Sequence, residues 1–335
     1  MAGNNHPSKP NRTAVRTRPP LLRPALIAAA GILVLVVGLV LVIRSARSRT
    51  ETPATAATAA TTAPAPAATA VPAREEDGGA GESDLPEAMQ SVPADTSGEL
   101  TLRTAAKRDG FPMLSWDVRE FVPDSRERMT YQGGAKTLTG IDVSEHQYDI
   151  DWKKVAADGI DFAMIRVGYR GSTAGGLYLD EYFEKNITGA HNAGIPVGVY
   201  FYSQAVTPEE AREEADFVLE NIRGRHVTFP VVFDWEIVGG SEARTYAVSR
   251  RELCDCTRAF CDAVSEAGYD PMIYFTRYLA YRKYILRNLA DYGFWYAEYE
   301  PQPRIAFDFD IWQYSETGEV DGIEGKVDLN LYFVR

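Results

Sequence analysis

The sequence predicts an α/β fold in which a modified TIM-like barrel, with about eight strands and five helices, follows an N-terminal transmembrane helix and a disordered stalk. From Gly140 onward, short apolar runs alternate with helical patterns, which is typical of β/α units that build a parallel sheet. The last three apolar runs lie too close together for full crossover helices. We therefore expect a closed barrel that lacks some helices of a complete TIM barrel.

Eight short apolar runs are the strand candidates. They cover residues 139–144, 162–168, 196–202, 230–235, 271–275, 294–298, 310–313 and 327–331. Helical patterns fit between the first six runs and cover residues 152–157, 179–192, 208–222, 249–267 and 277–286. Thr207 precedes Pro208 and lies three residues before Glu210, which predicts a helix start of the capping-box kind with proline at the first helical position.

The N-terminus has the pattern of a membrane anchor. Residues 1–24 contain five Lys or Arg residues and no acidic residue, and residues 25–43 carry no charge. As a helix this apolar run is roughly 28 Å long, which matches the hydrocarbon core of a bilayer. A cleaved signal peptide is the alternative, but its apolar region is typically only about 7 to 15 residues long. We predict a single transmembrane helix over residues 25–43, with a cytoplasmic basic head over residues 1–24 because fewer basic residues follow the helix than precede it.

Residues 44–100 are rich in Ala, Thr and Pro and then in acidic residues. Such a composition does not bury enough apolar area to offset the entropy of ordering, so it predicts a disordered stalk. A flexible coil of about 50 residues reaches on the order of 40 Å, and up to about 150 Å where proline keeps it extended. We interpret residues 101–138 as an adapter that packs against the barrel, and residues 139–335 as the barrel domain.

The net charge of −12 and the pI near 5.0 argue against a nucleic-acid partner, which would require a basic surface. Cys254, Cys256 and Cys261 lie in one predicted helix, and their odd number leaves no complete disulfide framework. Their spacing does not indicate a metal site. We interpret them as buried small hydrophobic residues, with a labile thiol as the alternative, and we predict no metal and no cofactor.

Four acidic residues lie where apolar runs turn polar, which is where active residues of TIM-like barrels are found. They are Asp142, Asp234, Glu236 and Asp328. Alternation along a strand puts Asp234 and Glu236 on the same face. Because two negative charges repel each other, the pKa of one of the two carboxyl groups is raised, and that group stays protonated while its neighbour is ionised. Glycoside hydrolysis needs this division of labour. A solvated loop pair and a metal cluster of four carboxylates are the alternatives; the cluster lacks histidine and the spacing of a calcium loop.

Aromatic residues cluster near the same strand ends. They are Tyr200, Tyr202, Tyr274, Trp295, Tyr296, Tyr299, Trp312 and Tyr314. Flat rings suit the apolar faces of pyranose rings, so the cluster predicts a saccharide cleft, although any single ring is more often part of a core. As substrate-binding residues we select Tyr200, Tyr202, Tyr274, Trp295, Trp312 and Gln313.

Five segments together resemble family 25 of the glycoside hydrolases. They are GIDVSEHQYDIDW, FAMIRVGYRG, GIPVGVYFYSQA, VVFDWE and DIWQYS followed by GKVDLNLY, between residues 139 and 333. The first family motif, D-x-S-x-x-Q-G-x-I-D-W, is matched here from Asp142 to Trp152, except that Tyr148 replaces the glycine after Gln147. A second departure is Phe201, which stands where many members have histidine.

The resemblance implies a barrel of eight strands and five helices that cleaves the β-1,4 bond between N-acetylmuramic acid and N-acetylglucosamine in peptidoglycan. It implies Glu236 as the general acid and Asp234 as the group that orients or polarises the reacting atoms. Asp142 and Asp328 would shape the charge and hydrogen bonding of the pocket. With the predicted anchor, the catalytic domain is expected outside the cell membrane. A non-catalytic wall-glycan-binding module and a hydrolase of another N-acetylated polysaccharide such as chitin remain the alternatives.

Overall fold

The computed structural model describes residues 112–241 and 243–335. The predicted basic head, transmembrane helix and stalk, together with the first part of the adapter, lie outside these residues. Within the described ranges, no helix combines the length and the apolar character that crossing a bilayer requires.

The described chain contains eleven strands. They are β1 (Phe121–Pro123), β2 (Met129–Tyr131), β3 (Thr137–Val143), β4 (Phe162–Arg170), β5 (Leu177–Leu179), β6 (Val197–Ser203), β7 (Val231–Trp235), β8 (Pro271–Thr276), β9 (Gly293–Ala297), β10 (Ile311–Gly318) and β11 (Val327–Phe333). Eight of them form a closed ring in the order β3-β4-β6-β7-β8-β9-β10-β11, with β11 paired back to β3, and β5 extends β4 outside the ring. The predicted eight-stranded barrel is confirmed.

The direction of β11 explains the missing helices at the end of the chain. Six neighbouring pairs in the ring are parallel, whereas β11 runs antiparallel to both β10 and β3. A hairpin joins β10 to β11, so no crossover helix is needed there. The start of β11 therefore lies at the rim where the parallel strands end, and Asp328 reaches that rim from the beginning of a strand.

Within the described residues, four α-helices surround the barrel. They are α1 (Trp152–Ala157), α2 (Phe183–Ala193), α3 (Pro208–Asn221) and α4 (Arg250–Glu266). The Thr207 side chain accepts a hydrogen bond from the backbone N–H of Glu210 at 3.3 Å, as the sequence predicts for the start of α3. Ser249 and Glu252 form a reciprocal capping box at the start of α4.

The fifth predicted helix, residues 277–286, is wrong as a regular α-helix. The structure has a π-helical turn at Leu279–Lys283 and a 3₁₀ turn at Leu286–Asn288. The backbone N–H of Tyr284 bonds to the carbonyl of Leu279 at 2.8 Å, and that of Ile285 bonds to the Cys254 sulfur at 3.2 Å. These bonds replace the regular helical spacing and end the turn after five residues.

Two hydrophobic cores lie on opposite sides of the barrel wall. Val231, Phe233 and Trp235 of β7 point outward into the core shared with the helices, whereas Val232 points into the barrel. The interior is closed below by Phe162, Met164, Val232, Met272 and Ile311. Gly140 makes room for this floor, because a Cβ atom there would lie 2.3 Å from the Phe162 ring. Polar side chains are left to occupy the upper end of the interior.

The described part of the predicted adapter packs on the outside of the barrel. The Trp116 ring stacks on Phe333 with centroids 4.0 Å apart, and its indole N–H donates to the carbonyl of Phe309 at 3.2 Å. Phe121, in the β1–β2 hairpin, meets Trp312 edge to face at 5.0 Å. These contacts cover the outer faces of β10 and β11.

All three cysteines are buried thiols without a disulfide. They belong to the core beneath α4, in agreement with their interpretation as small hydrophobic residues. Burial raises the pKa of each thiol, to about 12 for Cys256. A thiol with such a pKa is a poor nucleophile at neutral pH.

Candidate active site

A cavity of about 230 Å³ opens at the rim of the barrel, where the parallel strands end. Its lining consists of Asp142, Ser144, His146, Gln147, Arg166, Tyr200, Tyr202, Asp234, Glu236, Tyr274, Thr276, Trp295, Ala297, Tyr299, Gln313, Glu316 and Asp328. The four carboxylates singled out in the sequence thus lie around one cavity, and Glu316 adds a fifth. The position agrees with the general rule for catalytic sites in barrels of this kind.

Asp234 and Glu236 form the first carboxyl pair of the site. Asp234 is the fourth residue of β7 and is buried, and Glu236 follows the strand and is half-buried at the cavity wall. Their side chains share a hydrogen bond, in which the protonated Asp234 carboxyl donates and Glu236 accepts. Alternation along β7 therefore places both groups on the inner face, together with Val232.

The surroundings of this pair raise both pKa values. Burial raises the pKa of Glu236 to about 7, the charge of Asp142 adds to the rise, and the hydrogen bond from Asp234 opposes it. Burial also raises the pKa of Asp234 well above its usual value, and the charges of Glu236 and Asp142 act in the same direction. Glu236 is thus a carboxylic acid that exchanges its proton near neutral pH.

Asp142 and Asp328 form a second carboxyl pair. They are directly opposite in the antiparallel ladder between β3 and β11, and their side chains are hydrogen-bonded. The Asp142 Oδ2 atom also accepts bonds from the Gln313 side-chain amide at 2.9 Å and from the Asn330 side-chain amide at 2.7 Å. Burial raises the pKa of Asp142, and the hydrogen bonds from Asn330, Gln313 and Asp328 oppose this rise. Burial and the charge of Asp142 raise the pKa of Asp328 well above its usual value, so we place the proton of the pair on Asp328.

The amides that hold Asp142 are themselves oriented by aromatic side chains. The Gln313 Oε1 atom accepts from the hydroxyl groups of Tyr274 at 2.9 Å and Tyr299 at 3.1 Å, which turns the amide nitrogen toward Asp142. The Trp295 indole N–H likewise donates to Asn330 Oδ1 at 2.8 Å. In the observed geometry, Gln313 therefore holds the Asp142 carboxyl group in position.

Arg166 brings a positive charge to this acidic cavity, and it is the only arginine or lysine in the lining within the part of the chain that the structure describes. The side chain lies on β4 and is buried. Its Nε atom donates to Asp180 Oδ2 at 2.8 Å, and its NH2 nitrogen lies 3.4 Å from Glu145 Oε1. The charge of Arg166 lowers the pKa of Asp234 and so offsets part of the effect of burial.

Four of the five aromatic residues assigned to substrate binding line the cavity. Tyr200 and Tyr274 meet the Trp295 ring edge to face, with centroids 5.9 and 5.1 Å away, and Tyr202 lies on the same strand as Tyr200. The structure corrects the assignment of Trp312, which is fully buried on the outer side of the wall and donates its indole N–H to the carbonyl of Glu298 at 3.0 Å.

The sequence does not predict several of the residues that line the cavity. They are Ser144, His146, Gln147, Arg166, Thr276 and Glu316, together with Asn330, which reaches the site through Asp142. The position of Arg166 could have indicated a site residue, because a charge inside an otherwise apolar strand needs a buried partner. The position of Asn330 could have indicated the same, because Asn330 lies two residues after Asp328 on β11 and so shares its face of the strand.

The two departures from the family motif have different structural outcomes. Phe201 points away from the cavity into the outer core, where it meets Phe217 at 5.8 Å. It therefore does not line the cavity. Tyr148 adopts a positive φ of 51° and exposes its ring beside the cavity residue Gln147.

The described residues contain no group of three or more His, Cys, Asp or Glu side chains with the arrangement of a metal site. The carboxylates instead form two hydrogen-bonded pairs.

Comparison with known proteins agrees with the fold. The family model "Glycosyl hydrolases family 25" matches residues 141–323, which is more than half of the chain. The autolytic lysozyme of Clostridium acetobutylicum is 28% identical over 195 residues, covering 58% of this chain and 55% of the relative. Lysozyme M1 of Streptomyces globisporus is 31% identical over 216 residues, covering 62% of this chain and 71% of the relative. The match thus spans little more than half the length of the clostridial lysozyme.

Two solved structures share the fold. The modular autolysin LytC of Streptococcus pneumoniae, in complex with a synthetic peptidoglycan ligand, superposes with a TM-score of 0.54 at 24% identity, covering 67% of this chain and 52% of the autolysin. A family 25 glycosyl hydrolase of Bacillus anthracis superposes with a TM-score of 0.51 at 22% identity, covering 63% of this chain and 95% of that one. From its barrel, its carboxylates and the match of the family model, this chain belongs to family 25 of the glycosyl hydrolases.

Proposed function

We propose that the barrel domain is a lysozyme-type muramidase, which hydrolyses the β-1,4 bond between N-acetylmuramic acid and N-acetylglucosamine in peptidoglycan. The observation that carries the proposal is the hydrogen-bonded pair of Asp234 and Glu236 in the cavity, with the pKa of Glu236 raised to about 7. A carboxylic acid with such a pKa still holds its proton at mildly acidic pH and releases it readily, which is what a general acid requires.

In this reaction Glu236 gives its proton to the glycosidic oxygen as the bond from that oxygen to the anomeric carbon breaks. Water then supplies a hydroxyl group to the anomeric carbon, and the remaining proton of the water restores the acid. Asp234 is placed to assist, because its carboxyl donates a hydrogen bond to Glu236. That bond stabilises the carboxylate which Glu236 becomes during proton transfer.

Asp142 stabilises the positive charge that develops at the sugar. The amides of Gln313 and Asn330 donate to Asp142 and favour its charged form against the effect of burial. An anion already fixed at the cavity wall stabilises an oxocarbenium-like transition state without reorganising as the reaction proceeds. Asp328 holds Asp142 in place by donating a hydrogen bond to it.

The choice of substrate is supported by the relatives. Two of them are named lysozymes, and one structural neighbour was solved with a synthetic peptidoglycan ligand. The aromatic side chains of Tyr200, Tyr202, Tyr274 and Trp295 give the cavity flat surfaces against which sugar rings pack. We therefore assign peptidoglycan glycan strands as the substrate.

We further propose that the enzyme is a single-pass membrane protein, with a cytoplasmic N-terminus and the barrel outside the cell. The charge-free run over residues 25–43 and the basic residues before it support this orientation. A tether of about 50 residues would supply a high local concentration at the wall, so that a protein with a net charge of −12 needs no electrostatic capture. Protease added to intact cells should remove the barrel domain, and its protection from protease would contradict the orientation.

The test of activity is the release of reducing ends from purified peptidoglycan by the full-length protein in detergent. We expect release from peptidoglycan and little from chitin oligomers. Equal or faster cleavage of chitin would assign the enzyme to another N-acetylated polysaccharide. Binding of glycan by folded protein without release from several peptidoglycan types would identify a binding module instead.

A further inference from the structure

We propose that Tyr148 and Tyr182 form an outer saccharide subsite, in which a pyranose ring of the glycan strand packs beyond the catalytic cavity. The proposal rests on the proposed function and extends it to residues outside the cavity. Neither tyrosine is among the residues that line the cavity, but Tyr148 directly follows Gln147, which does. The two rings meet edge to face, with centroids 6.3 Å apart and an interplanar angle of 86°.

The backbone at Tyr148 has a conformation that tyrosine rarely adopts. Its φ and ψ angles are 51° and −130°, and a bulky residue with positive φ is a strained outlier. Of the two non-glycine residues with positive φ in the described ranges, Glu127 lies in the turn of the β1–β2 hairpin and Tyr148 lies beside the cavity. Strain of this kind concentrates at functional sites.

The side chain at this strained position is exposed rather than packed. The Tyr148 side chain is 68% exposed, which exceeds the value for every other exposed large hydrophobic residue in the described chain. The strain therefore does not serve to bury the ring. An exposed aromatic ring with an accessible flat face, held next to a cleft, is instead suited to bind a partner.

The buried carboxylate of Asp180, which binds the cavity arginine, also binds the backbone of Tyr182 and of the turn before Tyr148. Asp180 Oδ2 accepts from the backbone N–H of Glu145 at 2.9 Å and from Arg166 Nε at 2.8 Å, and its Oδ1 accepts from the backbone N–H of Tyr182 at 2.8 Å. The turn Glu145–Gln147 that precedes Tyr148 is thereby fixed to Tyr182 and to the cavity wall. The backbone segments that carry the two rings are thus tied to one carboxylate, which also binds the cavity residue Arg166.

The surroundings of the Tyr148 and Tyr182 rings favour a sugar over a charged ligand. The Lys185 ammonium lies 5.3 Å from the centre of the Tyr182 ring and is paired with Asp149, so this cation is already occupied by a carboxylate of the chain. Two perpendicular rings present one flat face and one edge, which suit the apolar face and the hydroxyl rim of a pyranose ring. A glycan strand runs past the scissile bond on both sides, so a unit beyond the cavity is available to bind there.

The test compares long glycan strands, stripped of their peptides, with short oligosaccharides that fill only the central subsites. In the full-length protein, Tyr148→Ala and Tyr148→Gly should lower the ratio of kcat/KM for long over short substrate by about 5- to 20-fold, as expected for loss of one aromatic anchor. Tyr148→Phe should retain the ratio, because it keeps the ring. Tyr246→Ala is the matched control, since Tyr246 is 45% exposed and does not line the cavity.

An unchanged or increased ratio in Tyr148→Ala and Tyr148→Gly would overturn the subsite. So would a loss that occurs only with peptide-bearing strands, which would assign Tyr148 to the peptide. Calorimetric binding of stripped strands to Glu236→Gln, with and without Tyr148→Ala, provides a readout without turnover. If the wild-type protein cleaves no glycan, the proposed function fails, and this binding comparison still decides whether the tyrosines hold a glycan.

Discussion

Asp142 and Asp328 face each other on neighbouring antiparallel strands, and a hydrogen bond joins their carboxyl groups. One residue is near the end of β3 and the other near the start of β11, so only the reversed direction of β11 brings them to the same rim. The pair leaves a fixed anion at Asp142, close enough to raise the pKa of Glu236. The predictions below follow from these coupled carboxylates and from the groups that hold them.

Glu236→Gln should abolish most glycan cleavage, with a loss in kcat of about 10²- to 10⁴-fold, because the amide has no proton of suitable acidity to give. The amide is nearly the same size, so thermal unfolding should stay cooperative and glycan binding should be retained. Release of reducing ends measures the loss. Glu266→Gln, on the exposed end of α4, should cleave like the wild type. Retention of activity in Glu236→Gln would remove Glu236 from the role of general acid.

Asp142→Asn should move the alkaline limb of the kcat/KM profile toward lower pH, by on the order of one unit. The Asp142 charge raises the pKa of Glu236, so its removal lets Glu236 lose its proton at lower pH. Asparagine keeps an oxygen that accepts from Gln313 and Asn330. The pH–rate profile gives the readout, and Asp255→Asn, at an exposed position of α4, is the control. A limb that stays in place would mean that Asp142 does not set the pKa of the acid.

The carboxylate pair also makes folding stability depend on pH. Glu236 has a folded-state pKa of about 7 against 4.5 when unfolded, so the folded state holds the proton more tightly. This group's contribution is fully present below pH 4.5 and is lost as the pH rises through about 7, and because Glu236 is only half-buried it amounts to less than about 3 kcal/mol. Urea unfolding at pH 5 and 7.5 should show the decrease. Glu236→Gln should make the decrease smaller without abolishing it, because burial also raises the pKa of Glu214 to about 7. Carboxylates with a lowered pKa, such as Asp158 and Glu210, contribute stability that is lost as the pH falls, and this loss occurs below about pH 4.5.

Alternation along a strand accounts for much of what the sequence predicts about the site. It predicts that Asp234 and Glu236 share the inner face, and both line the cavity. The same rule places Gln313 inward and Trp312 outward on β10, as the structure has them. Choosing Trp312 for its aromatic ring alone ignores this rule, which is why that assignment is wrong.

Long-range pairings account for what local patterns do not predict. The bond between Asn330 and Asp142 joins residues at opposite ends of the domain and depends on the register between β11 and β3. The ion pair of Arg166 with Asp180 likewise depends on how the chain returns after β5. Neither partner follows from periodicity, because each is fixed only when the barrel closes.

Gln313→Leu should destabilise the fold by about 2 to 4 kcal/mol, because it leaves buried polar partners without their hydrogen bonds. Tyr274, Tyr299 and Asp142 each lose one bond. Chemical denaturation measures the loss, and the exposed Gln132→Leu should change stability by less than about 0.5 kcal/mol. Cleavage should fall as well, since Asp142 is no longer oriented. An unchanged free energy of unfolding would show that Gln313 is not the link between the tyrosines and Asp142.

Tyr148→Gly should raise the free energy of unfolding by about 1 kcal/mol. Glycine adopts positive φ without steric cost, so it removes strain of on the order of 1 to 3 kcal/mol, and its greater freedom in the unfolded chain offsets part of the gain. Tyr148→Ala keeps a Cβ atom at φ 51° and should gain less. In urea unfolding, Tyr148→Gly should be the most stable of the three proteins, Tyr148→Ala intermediate and the wild type the least stable. Lower stability in Tyr148→Gly would mean that the tyrosine ring stabilises the folded protein, through its contact with Tyr182, by more than the backbone strain destabilises it.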